Sequence, residues 1–249
     1  LQSSAVIRAA MVYATNFDMP IMHLAADAHL VSDGVMNSGP LATFRGLKGI
    51  PAQAETIPLD RDLQLALMTG ARYHAAAIST ARSAELAAFY KQRSNAISVG
   101  ASINNLCLNE NDIGSYRTFF KLNPPLRTED DRLALVEALK DGTVDVIMSD
   151  HDPQDAEGKR QPFADAATGA IGLETLLAAA MRLVHSGDTD LMTILRAMTA
   201  RPAEILGIEA GRIAKGAKAD LCLFDPDYPW IVEEATIRSR STNTTFENA

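Results

Sequence analysis

The ten residues Asp145-Val146-Ile147-Met148-Ser149-Asp150-His151-Asp152-Pro153-Gln154 govern how the chain is read. Apolar side chains run up to Met148 and then give way to polar ones, the pattern of a buried parallel strand whose C-terminal end opens into a site. A carboxylate at that end of a strand is where barrel enzymes carry catalytic groups. The same residues also read as a turn before Pro153, with Asp150 and Asp152 as its caps.

Working outward, residues 128–140 read as a helix closed by Gly142, feeding a strand at 144–148. Further strands are predicted at 20–24, 71–78 and 97–103. Helices are predicted at 59–69 and at 80–92, the latter with Leu86, Phe89 and Tyr90 on its apolar side. Ser3 and Ser4 can cap an opening helix that carries Val6, Ala9, Met11, Val12 and Ala14 at helical spacing. Residues 25–58 read as irregular, broken by Gly34, Gly39, Pro40, Gly46, Gly49 and Pro51. Strands alternating with helices imply βα units and a parallel sheet. Four such units are half of an eight-fold barrel.

Beyond the fourth strand, helices are expected at 172–185 and 191–206. Residues 211–225 then read as a glycine turn followed by a short alternating strand, the makings of a small β unit beside the barrel. The chain therefore divides into barrel strands and helices over 1–206 and an accessory β part with a C-terminal tail over 207–249. The tail from 239 onward is polar, lacks apolar periodicity and is expected to be flexible.

Composition bounds the function. A formal charge of −8 over 249 residues, with no basic run, argues against a nucleic-acid partner. No apolar segment is long enough to span a bilayer. Two cysteines far apart, Cys107 and Cys222, fit a reducing cytoplasm rather than a disulfide framework. The chain opens at Leu1, almost directly in a helical pattern, and reads as the later part of a longer protein.

Several stretches together resemble the dihydroorotases of the amidohydrolase superfamily, in order and spacing. They are Lys121-Leu122-Asn123-Pro124-Pro125-Leu126-Arg127, Ser149-Asp150-His151-Asp152-Pro153, Pro162-Phe163-Ala164 through Gly169-Ala170-Ile171-Gly172-Leu173-Glu174, and residues 211–225. Ile78-Ser79-Thr80-Ala81-Arg82-Ser83 is similar to the sixth-strand motif of that family. The resemblance implies a (β/α)8 TIM-type barrel, its C-terminal half present here, with a small β domain and a role in pyrimidine biosynthesis. It also implies zinc, held by a His-x-His pair on the first strand, a bridging carboxylate, histidines on the fifth and sixth strands and an aspartate on the eighth. Such a metal polarises the amide carbonyl and lowers the pKa of its water, while the aspartate moves the proton. Asp150 matches that aspartate, and Asn123 matches a substrate-contacting asparagine.

Other positions depart from the pattern. Ala77 stands at the sixth-strand ligand position and offers no donor atom. Aligned on Pro20 and Asp27, the fifth-strand histidine falls on Leu24, so the neighbouring His23 is expected to face the helix layer unless the strand shifts by one residue. The family's seventh-strand histidine pair is Asn104-Asn105, and a substrate-contacting histidine is Gln154. The first four strands have no counterpart in the sequence. Of the other histidines, His74 and His185 read as structural, His151 as a packing residue behind Asp150, and His29 as a loop residue; Glu174 reads as a helix cap.

Two expectations follow from the resemblance. In one, the chain is a non-catalytic homologue with no zinc or weakly bound zinc, and works as a structural partner of aspartate carbamoyltransferase in a homo- or hetero-oligomer. In the other, a cyclic amidohydrolase works from a reduced single-metal site that includes Asp150, with His23 as a further ligand only if its strand slips.

Overall fold

The βα rhythm is realised in the computed structural model, which describes residues 3–247. Helix α1 (Ser4–Thr15) precedes strand β1 (Ile21–His23), after which α2 (Ala28–Val31), β2 (Met36–Asn37), α3 (Pro40–Arg45) and β3 (Gly49–Ile50) form an insertion. The barrel rhythm resumes with α4 (Gln53–Thr69), β4 (Tyr73–Ala75), α5 (Ala81–Lys91), β5 (Ile97–Ser102), α6 (Ile103–Cys107), α7 (Glu129–Lys140) and β6 (Val146–Met148). Then come α8 (Ala156–Lys159), α9 (Leu176–His185), α10 (Leu191–Met198) and α11 (Ala200–Leu206). Strands β1, β4, β5 and β6 pair in that order, all parallel, and β2 and β3 make a separate parallel pair. An all-parallel sheet in chain order, with helices between successive strands, is an arc of the (β/α)8 barrel. No helix among the described residues is long and apolar enough to cross a membrane.

Side-chain alternation sorts the strands into two faces. His23 and Tyr73 turn outward to α4, where both reach the fully buried Asp62, at 2.8 and 3.1 Å. His74 and Ser98 share the inner face, bonded Nδ1 to Oγ at 2.8 Å. Burial lowers the pKa of His74 and keeps it neutral. On the helix side, Leu59, Leu63, Val99 and Leu135 are fully buried where α4, α5 and α7 pack in a row. At the opposite end from the site, the carboxylate of Asp145 gathers the Val99 amide (3.0 Å), Lys91 (2.7 Å) and Arg201, stitching β5, α5 and α11 to the start of β6.

The structure departs from the sequence expectations in several places. Helix α4 starts at Gln53 rather than at 59 and runs through Pro58, which has no N–H for the carbonyl of Ala54. The amide of Asp27 fills that acceptor at 2.8 Å, which offsets the lost helical bond. The buried face of α1 is Ile7, Met11 and Ala14, while Val6 and Val12 are exposed. The strand expected over 71–78 is confined to Tyr73–Ala75. The helix expected over 191–206 is broken at Thr199 (φ −130°), and Pro202 sits in the first turn of α11, where its missing N–H costs nothing. The β unit expected at 211–225 is not formed among the described residues, because no strand lies beside it to take its backbone bonds, and Leu221 and Leu223 are exposed. The tail is not a loose end: Asn243, Thr244, Thr245 and Phe246 are buried, and residues 248–249 lie outside the described residues.

Candidate active site

Ser102 ends β5 and caps α6 by accepting the Asn104 amide at 3.2 Å. Its hydroxyl donates to Asp150 Oδ2 at 3.0 Å. Asp150 lies two residues beyond β6 at φ 51°, a left-handed conformation that aspartate tolerates better than most residues. Its half-buried carboxyl is pushed above the usual range by burial, with Asp152 adding to the rise, while bonds from Ser102 and Asn104 oppose it. A carboxyl so placed, at the carboxyl end of a barrel strand, can hold and release a proton nearer neutrality than a free aspartate.

His151, beyond the end of β6, is directed at the loop that follows. Its Nδ1 accepts the amides of Gly172 (3.1 Å) and Leu173 (3.3 Å), so that nitrogen carries no proton and the ring is a packing post for the next loop. The contact needs a glycine, because a Cβ on Gly172 would stand 2.0 Å from the carbonyl oxygen of Ser149. Glu174 does not cap α9; its carboxylate accepts the amides of Arg238 and Ser239 instead.

The remaining sequence-derived residues are scattered. Asn123 is exposed on the rim, where the peptide bond to Pro124 is cis. Gln154 folds its amide back on Asp152, at 3.0 Å from Oδ1. His23 is committed to Asp62, and its strand β1 is at the opposite edge of the sheet from β6, so the pairing of His23 with Asp150 as metal ligands is not formed. The strand has not shifted: His23 is in register with Ala75, and alternation leaves Leu24 with Met22 on the inner face. Ala77 is buried and offers only a methyl group. His29 is exposed on α2, and His185 ends α9, 3.8 Å from Asp227.

Two features escaped the sequence reading. Arg127 is buried and donates to Ser79 Oγ (3.1 Å), Asn37 Oδ1 (2.9 Å) and the carbonyl of Ile50 (2.7 Å), pinning the insertion to the loop that begins at Asn123. Glu55 completes this network by accepting from the Ser79 amide (2.8 Å), the Ser79 hydroxyl and the Ser83 hydroxyl (2.5 Å). Nothing local in the sequence signals that these residues meet. The second feature is the tail, whose Thr245 hydroxyl donates to Asn104 Oδ1 at 2.7 Å.

A family model described as the amidohydrolase family matches residues 5–248. The chain belongs to the amidohydrolase family. Within it, the chain is similar to the dihydroorotase of Anaeromyxobacter dehalogenans, 40% identical over 249 residues that cover 99% of this chain and 58% of that protein. It is also similar to a dihydroorotase-like protein of Pseudomonas aeruginosa, 38% identical over 244 residues that cover 98% of this chain and 57% of that one. Among solved structures, the L-hydantoinase (dihydropyrimidinase) of Arthrobacter aurescens matches with a TM-score of 0.87 at 22% identity, over 99% of this chain and 56% of that one. That likeness carries the fold. The chain spans a little over half the length of the curated relatives it matches.

The dihydroorotase resemblance implies zinc, and the residues of this amidohydrolase chain do not fit it. Zinc takes four nitrogen, sulfur or oxygen donors in structural sites and three protein donors in catalytic ones. Leu24 and Ala77 supply none, His23 is turned to Asp62, and among the described residues no three His, Cys, Asp or Glu side chains converge as a metal site requires.

Proposed function

We propose that the protein is a dihydroorotase-type amidohydrolase that kept its barrel and Asp150 but lost its metal site, and that it works as a structural partner of aspartate carbamoyltransferase in pyrimidine synthesis. The observation that carries this reading is the fifth-strand position: the one histidine there, His23, is bonded to Asp62 on the helix side while Leu24 faces inward. The likeness to a relative named dihydroorotase-like supports it. Relieved of closing over substrate, the insertion at 25–52 and the loop at 152–168 would offer surface for an interface, which needs roughly 800 Å² from each partner.

The test is size-exclusion chromatography of the full-length protein mixed with aspartate carbamoyltransferase, with and without chelator, alongside metal analysis. Co-elution that survives chelation, with far less than one zinc per chain, is the expected result. Independent elution at micromolar concentration, or one to two tightly held zinc ions per chain, would sink it.

A second reading is favoured by the environment of Asp150, whose raised pKa and two neutral hydrogen-bond donors suit proton transfer. In it, the protein is a cyclic amidohydrolase whose remaining ligands come from outside these 249 residues. Dihydroorotase turnover abolished by Asp150→Asn would establish it.

A further inference from the structure

Residues 238–247 run over the carboxyl ends of β5 and β6, fastened mainly by side chains rather than by a strand ladder. Glu174 holds the amides of Arg238 (2.9 Å) and Ser239 (2.8 Å), and the Ser241 hydroxyl donates to the Gln154 carbonyl at 2.7 Å. Asn243, 3% exposed, makes three bonds to two separate pieces of backbone. Its Oδ1 accepts the Gln154 amide at 3.3 Å, its Nδ2 donates to the Gly169 carbonyl at 3.0 Å, and its own carbonyl accepts the Ile171 amide at 3.1 Å. Thr244 bridges to Ile171, and Phe246 is buried with Arg182 over its ring.

These contacts join the loop after β6, the stretch at 169–171 and helix α6 after β5. Those are the pieces that carry Gln154 and Asn104 and that flank Asp150. Thr245 also sets the orientation of one amide: with Asn104 Oδ1 occupied by the Thr245 hydroxyl, Nδ2 is the end that Asn104 presents to Asp150. Beyond Arg238, Arg240 and Glu247, the segment is Ser, Thr and Asn with one apolar anchor, Phe246. Each buried hydroxyl or amide left unbonded costs about 1 to 3 kcal/mol. Partial docking is therefore unfavourable, and the segment is held as a unit.

We infer that residues 238–247 are a strap belonging to the candidate active site, with Asn243 as its positioning residue, and that the rim around Asp150 is ordered by the strap and opens when the strap leaves. The inference depends on neither reading of the function.

Hydrogen exchange on the full-length protein and three variants tests it. Asn243→Ala should speed exchange roughly tenfold at Asp152, Gln154 and residues 169–172, while the amides of Val99 and Ala101 in β5 keep their protection. Thr245→Val should do the same at 103–108, and Thr245→Ser, which restores the hydroxyl, should match wild type. Unchanged exchange at the rim in Asn243→Ala would overturn the inference. So would a loss of protection spread evenly over β5 and β6, or a Thr245→Ser variant as loose as Thr245→Val.

Discussion

Arg201 on α11 and Asp145 just ahead of β6 form an ion pair in which the carboxylate is 4% exposed and also receives Lys91 and the Val99 amide. Removing a buried carboxylate from two cations leaves their charge uncompensated. Asp145→Ala is expected to lower stability by about 3 kcal/mol, the lower end of the range because Lys91 and Arg201 retain access to water. Urea unfolding at neutral pH checks this; a loss under about 1 kcal/mol would show that the pair contributes no more than a surface bridge.

Gly172 and Gly70 make a matched pair of substitutions. A Cβ at Gly172 meets the Ser149 carbonyl at 2.0 Å, backbone that has no cheap way to move, whereas Gly70 (φ 70°) has nothing within 4 Å. Gly172→Ala is expected to cost more than about 2 kcal/mol and to shift the loop that follows Asp150, against about 1 kcal/mol of backbone strain for Gly70→Ala. Equal unfolding midpoints for the two variants would show that the contact at Gly172 is not tight.

Lys159 gives the fold a pH dependence of its own. The residue is 3% exposed, and its ammonium donates to the carbonyls of Thr118 (3.0 Å) and Ala167 (2.8 Å). Burial, with Lys121 nearby adding to the effect, lowers its pKa to about 8. An unfolded lysine titrates near 10.4, so between those values the unfolded chain holds a proton that the folded chain lacks, and raising the pH favours the folded form. Below about 8 both states are charged and the burial penalty is present in full. The stability of wild type relative to Lys159→Met should therefore rise by roughly 1 to 2 kcal/mol from pH 7.5 to 9.5. A flat or falling difference would mean that the ammonium is solvated.

What could be read from the sequence is what local chemistry encodes. Helix α7 announces itself through Thr128 and Asp131, which form a capping box, and β6 through the apolar run that ends at Met148. Asp150 is legible as a carboxylate just past a strand, but its partner Ser102 lies 48 residues away and carries no signal of its own. The same limit hid the rest. The helix runs through Pro58 only because the Asp27 amide arrives from another segment, and the tail is ordered by bonds that span 141 residues to Asn104. Polar side chains satisfied by distant partners look, along the chain, like a flexible terminus.

Leu24 and Ala77 are the positions at which metal binding should be restorable. Leu24→His combined with Ala77→His is expected to raise zinc affinity at least tenfold, because each imidazole adds a donor. Dihydroorotase turnover should stay negligible, because Gln154 and the Asn104-Asn105 pair stand where the dihydroorotase resemblance implies histidines. Titration with a chromophoric zinc competitor and a dihydroorotase assay check the two halves; appreciable turnover would show that the rest of the site is intact.

The bond between His23 and Asp62 bears on how this barrel can evolve. A one-residue slip of β1 would be the shortest route for bringing an imidazole to the inner face, since it needs no new residue. Such a slip would turn every side chain of the strand over and take from the fully buried Asp62 one of its three donors, His23, Tyr73 and Arg61. A buried carboxylate that loses a donor costs about 1 to 3 kcal/mol or more, a large share of what holds a domain together. The carboxylate on α4 thus acts as a ratchet: selection for stability holds His23 on the helix side against any slip that would turn it inward.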